Sequence, residues 1–104
     1  MSSFAKRLKE ARQQAGLSQE KLGVLAGIDE MSASARMNQY ERGKHMPDVS
    51  MVNRLADVLR VPLAYFYIDE DDIAILLVGL HRMKNGERKK VIQYAMQFID
   101  GKSY

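Results

Sequence analysis

The chain has 104 residues, room for one domain or one small domain with an appendage, and it contains no cysteine, which excludes a disulfide framework and thiolate chemistry. An apolar content of 46% suits a globular protein, and no run reaches the roughly 18 apolar residues that a membrane span needs. The net charge of +3 is unevenly spread: residues 1–47 hold eight Lys/Arg against five Asp/Glu, residues 48–72 two against six, and residues 73–104 six against two.

The opening segment, Met1 to Arg7, leads straight into an amphipathic helix and shows no signal-peptide core, so a cytoplasmic location is expected. Ser3 is a fair N-cap for helix 1, in which Phe4, Leu8, Ala11 and Ala15 recur on one face, and Gly16 sits where a helix C-cap favours positive φ. Ser18 caps helix 2, which runs to about Ala26 with Leu22, Leu25 and Ala26 inward and Gly27 closing it. Lys21 stands where a reciprocal capping box would need Glu or Gln. Ile28 to Ser32 then reads as a bridge, longer than the usual link of about 3–4 residues, with Ile28 and Met31 expected to pin it to the core. Helix 3 is expected over Ala33 to Arg42 and is ended by Gly43.

Pro47 blocks helix before Asp48, which caps helix 4. That helix should bury Val52, Leu55, Ala56 and Leu59 and stop before Pro62; a short helix follows with Leu63, Tyr65 and Phe66. The carboxylates Asp69 to Asp72 either neutralise the positive end of the next helix or hold a divalent ion; the first is expected. Helix 6, Asp71 to Met83, carries the stripe Ile73, Leu76, Leu77 and Leu80. After a turn at Lys84-Asn85-Gly86, helix 7 runs from Glu87 to Asp100 and ends at Gly101. His45 and His81 lie far apart with no ligand-spaced neighbours, so neither metal nor cofactor is expected.

Helix 3 turns Met37 and Tyr40 inward. At 100° per residue its other face holds Ala35, Asn38, Gln39 and Arg42, flanked by Ser34 and Arg36. Asn and Gln can pair bidentately with adenine, Arg with guanine, and a small methyl can lie on thymine, although any surface helix also shows a polar face.

These residues sit within a longer pattern. Arg12 precedes Gly16-Leu17-Ser18-Gln19, then come Leu22, Ala26-Gly27, Tyr40-Glu41-Arg42-Gly43-Lys44, Pro47, Leu55-Ala56, Leu59, Val61-Pro62 and Tyr65-Phe66. In order and spacing, Phe4 to Tyr67 resembles a DNA-binding domain of the Xre type, the lambda-repressor/Cro-like helix-turn-helix family. The resemblance implies an all-α fold: a five-helix DNA-binding domain over residues 1–68, followed here by a C-terminal helical hairpin over 69–104. It implies base contact by Ser34, Ala35 and Gln39, with Arg36 and Asn38 beside them. It implies phosphate contact at the start of helix 2, Ser18 and Gln19, and around Arg42 and Lys44; His45 is either a further contact or a solvated loop residue. Arg12 and Glu41 match positions that pair with each other inside the domain.

The C-terminal helices either enlarge the core or pair two copies through Ile73, Leu76, Leu77 and Leu80 together with Tyr94 and Phe98; the dimer is the expected reading. A two-fold dimer reads two half-sites about one helical turn apart. The function expected is a sequence-specific, dimeric transcriptional repressor of double-stranded DNA. The alternatives are an antitoxin that autoregulates its operon and binds a toxin through its last helices, and a protein-interaction adaptor that does not read DNA. No phosphate-cradling glycine loop, metal cluster or nucleophile with a paired base suggests an enzyme.

Overall fold

Apolar periodicity builds the first helix, α1 (Ser3–Gln14), which buries Phe4, Leu8 and Ala11 and, unusually, Arg7. Ala15, expected on the same face, lies beyond the helix end and is exposed. The computed structural model describes residues 3–99. Within them the chain continues through α2 (Gln19–Leu25), α3 (Glu30–Glu41), α4 (Val49–Leu59), a 3-10 segment (Leu63–Tyr67), α5 (Asp71–Arg82) and α6 (Asn85–Met96), with no strand among the described residues. The all-α class is thus established.

Phe4, Leu8, Leu22, Met37, Leu55 and Phe66 are the large side chains shut away completely. Each stabilises the fold by roughly 1.5–3 kcal/mol relative to exposure. They come from α1, α2, α3, α4 and the 3-10 segment, so one core ties together everything up to Tyr67. The rings of Phe4 and Phe66 lie 5.1 Å apart at its centre.

Helix ends are fixed by named groups. Ser18 accepts from the Lys21 N–H and Asp48 from the Met51 N–H, at 3.0 and 2.8 Å. The α4 C-cap, Arg60, takes the left-handed conformation at φ 56°, rare for a residue other than glycine. Arg82 of α5 reaches back to this end, donating to the carbonyls of Leu59 and Arg60 at 3.1 and 3.0 Å. That contact supplies acceptors otherwise orphaned at a helix terminus with donors.

Arg7 fastens α5 to the core. Its Nε and Nη2 donate to the carbonyls of Ile68 and Asp69 at 2.9 and 2.8 Å, and its Nη1 lies 3.0 Å from Glu10 and 2.9 Å from Asp71. Burial pulls the Arg7 pKa down, but the bonds from Asp71 and Glu10 outweigh it and the net shift is upward. The same bond, with one from Lys6, holds the Asp71 carboxyl below the usual carboxylate range. Burial raises the Tyr65 phenol, whose hydroxyl donates to the Arg7 carbonyl at 3.3 Å.

The two C-terminal helices differ from expectation in detail. Only Ala74 of α5 is buried, with Val78 packed against the core; of the stripe, Ile73 and Leu76 are exposed and Leu77 and Leu80 half-buried. The expected turn at Lys84-Asn85-Gly86 is instead a two-residue link, Met83 and Lys84, and α6 begins at Asn85. Arg88 explains the tight joint: it donates to the carbonyls of Leu80, His81 and Met83 and to the Asn85 side chain, occupying the open end of α5. α6 stops at Met96, short of the expected Asp100; Asp100 and Gly101 lie outside the described residues. No residue of α6 is buried, and the molecule is elongated at 50 × 29 × 22 Å.

Candidate nucleic-acid interface

α2 and α3 meet at Gly23. A Cβ there would lie 2.9 Å from the Ala33 Cβ and 3.2 Å from its Cα, so only glycine permits this approach of the two helices. Leu22 and Gly23 are the buried residues of α2, while Leu25, expected inside, is 49% exposed. The correction has a simple cause: the close crossing turns Gly23 towards α3, and Leu25 then lies outside the short helix's contact face.

The link between the helices is Ala26 to Asp29, four residues, so the expectation of a lengthened turn is overturned. Gly27 adopts φ 93°, the buried Ile28 pins the link, and the Ile28 N–H donates to the Gly23 carbonyl at 2.9 Å. Arg54 of α4 holds the same link by donating to the Ala26 carbonyl at 2.8 Å. Asp29 then caps α3, accepting from the Met31 N–H at 3.1 Å. The residues read as extra turn are helical, and Met31 is 92% exposed instead of pinned to the core. Asp29, a favoured N-cap, was the signal for the earlier start.

α3 therefore buries Ala33, Met37 and Tyr40 and starts three residues earlier than expected, so its outward face extends back to Met31. At 100° per residue that face runs Met31, Ala35, Asn38 and Arg42, with Ser32 and Gln39 beside it and Ser34 and Arg36 on its flanks. Every one of these residues is exposed. Met31 and Ser32 are the members that sequence reasoning missed. Arg36, Arg42 and Lys44 have no ion-pair partner among the described residues, which leaves their charges free for a polyanion. Lys44 and His45 lie in the exposed loop after Gly43, their N–H groups donating to the Gln39 carbonyl.

Behind this face stands a charged brace. The Arg12 guanidinium meets Glu41 through Nε at 2.6 Å and Nη2 at 3.1 Å, and its Nη1 donates to the Leu17 carbonyl at 2.8 Å. Gln19 joins it, donating to Glu41 at 3.1 Å and to Asn38 at 3.4 Å. The Gln19 side chain is thus turned towards α3. The brace sets α1, α2 and α3 in fixed relation, which a helix read against base edges requires.

Comparison with known proteins agrees with this geometry. Residues 3–64 match the family described as a helix-turn-helix domain, and the chain belongs to that family. It is 30% identical to the SPbeta prophage-derived uncharacterized HTH-type transcriptional regulator YonR of Bacillus subtilis (strain 168), over 88% of this chain and 90% of the relative. Its structure matches the crystal structure of the transcriptional regulator BswR with a TM-score of 0.83 and 46% identity, over 89% of this chain and 92% of that one. The fold is that of a helix-turn-helix transcriptional regulator.

Proposed function

We propose that this protein is an Xre-type transcriptional repressor that acts in the cytoplasm as a homodimer and reads a two-fold symmetric operator with α3 in the major groove. The observation that carries the reading is the outward face of α3: a donor and acceptor set of Asn38, Gln39 and Arg42 with the apolar Ala35 and Met31, free of internal partners except for the Gln19–Asn38 bond. Ser34, Ala35, Arg36, Asn38 and Gln39 contact bases, and Met31 adds an apolar surface suited to a thymine methyl. Ser18, Gln19, Arg42, Lys44 and His45 hold phosphates, Gln19 through the opening turn of α2, since its side chain is engaged by Glu41.

Residues 1–68 form the DNA-binding part and 69–104 the dimerisation part. Leu76 at 53% and Phe98 at 75% exposure show how much apolar surface this second part leaves open in one chain. Tyr94 of α6 and Phe98, just beyond the helix end, stack edge to face at 5.3 Å, a ready aromatic contact for a second copy. No helix among the described residues is long and apolar enough to cross a membrane.

The test is genome-wide binding coupled to transcript measurement after removal of the gene. Repression predicts bound promoters whose transcripts rise. Bound promoters whose transcripts fall would make the protein an activator. Binding that requires a co-purifying toxin would favour the antitoxin reading, and absence of bound promoters would favour an adaptor.

A further inference from the structure

The charges around α5 are sorted by end; Asp71 is taken by Arg7 and Lys6, but others at both ends have no internal partner among the described residues. Before its first turn, the Asp69 and Glu70 carboxylates have no partner among the described residues, and Asp72 bonds only the N–H of Ile73. At the other end, the Lys84, Lys89 and Lys90 ammonium groups likewise have none among the described residues. The remaining cations there are occupied: Arg82 on the α4 carbonyls and Arg88 on those of α5. Between the two ends runs the stripe Ile73, Leu76, Leu77 and Leu80, exposed at Ile73 and Leu76 and half-buried at Leu77 and Leu80.

We propose that two copies of the chain pair antiparallel along α5, with the two-fold axis between Leu76 and Leu77. The inference rests on the homodimer reading and adds its interface, orientation and register. An isologous contact repeats itself about its axis, so Ile73 packs on the partner's Leu80 and Leu76 on the partner's Leu77. The same operation brings Asp69 and Glu70 to the partner's Lys84, with Lys89 and Lys90 close behind on α6. Opposed helix dipoles add to the attraction. A parallel pair would bury the same stripe but would set Asp69 and Glu70 of both copies against each other, and the lysines likewise. The apolar seam is only about 10 Å long at 1.5 Å per residue, so the charged ends decide the orientation.

The chain has no cysteine, which makes crosslinking unambiguous. Full-length Ile73→Cys and Leu80→Cys proteins are oxidised separately and as a mixture, with the sedimentation of the parent measured alongside. The antiparallel register predicts a disulfide-linked dimer in the mixture and little in either protein alone. Self-linking of Ile73→Cys in place of the mixed product would establish a parallel pair and overturn the proposal. A parent that sediments as a dimer while no combination links would place the interface elsewhere, overturning the α5 pairing and leaving the homodimer intact. A monomeric parent would overturn both. A second pair of proteins avoids the apolar seam altogether. Asp69→Lys/Glu70→Lys and Lys84→Glu/Lys89→Glu each weaken self-association about tenfold at low salt, and mixing them restores it. Self-association unchanged in both charge variants would contradict the pairing of ends.

Discussion

Arg12 and Glu41 are joined by two parallel hydrogen bonds, Nε to Oε2 at 2.6 Å and Nη2 to Oε1 at 3.1 Å, with the Glu41 side chain 3% exposed. Breaking a buried pair by removing one partner costs about 3–5 kcal/mol, because the other charge stays in the interior. Glu41→Ala should therefore lower the stability by an amount near the lower end of that range, Arg12 being slightly open to solvent. DNA binding is then lost with the fold. Denaturant unfolding followed by circular dichroism checks this: a variant that melts like the parent yet does not bind DNA would make Glu41 a contact residue instead.

The α2–α3 crossing depends on the missing side chain at Gly23. Alanine there gains up to about 1 kcal/mol in helix propensity, but its Cβ would lie 2.9 Å from that of Ala33, and overpacking typically costs about 1–3 kcal/mol. Gly23→Ala should be destabilising on balance. The double variant Gly23→Ala/Ala33→Gly should recover part of the loss, and additive effects in that cycle would show that the two positions do not touch.

The position of α3 was half legible in the sequence. Met37 and Tyr40 mark its inner face at the expected spacing, and Gly43 ends it by taking φ 71°. Its beginning was hidden because Ile28-Asp29-Glu30-Met31-Ser32 reads as a bridge, and no inward-facing residue of the helix precedes Ala33 to report its period. The cap at Asp29 decides the matter through one side-chain bond, and Met31 then lies outside. The stripe on α5 was found by period alone, but periodicity does not say which neighbour a stripe faces. Ala74, too small to stand out in the pattern, is the residue that meets the core. Long-range bonds of Arg7, Arg54 and Arg82 to backbone carbonyls leave no local signature, since each acceptor is set by the tertiary fold.

Asp71 gives the fold a pH dependence with a definite sign. Its folded pKa is depressed by the bonds from Arg7 and Lys6. Its stabilising contribution is therefore complete above the ordinary carboxylate value of about 3.9 and is lost as pH falls through the lower folded value. Asp71→Asn should lower Tm at neutral pH, and the gap from the parent should close as pH falls below about 4. A gap that is constant over that range would show that the charge of Asp71 does not contribute.

Base readers and phosphate holders should separate in their salt response. Lys44→Ala should weaken binding to all sequences alike and reduce the slope of log affinity against log salt by about 1. Gln39→Ala should leave that slope unchanged and relax preference at one position per half-site, by about 1–3 kcal/mol. Titration of labelled duplexes over a range of salt measures both. Identical behaviour of the two variants would contradict the division of the surface into these roles.

In vitro selection from a random duplex library asks whether α3 of a dimer reads DNA sequence. The expected result is an enriched two-fold symmetric motif with half-sites about one helical turn apart, and with Gln39→Ala an altered preference at one symmetric pair of positions. A library that emerges without any enriched motif, its binding merely weakening with salt, would contradict it.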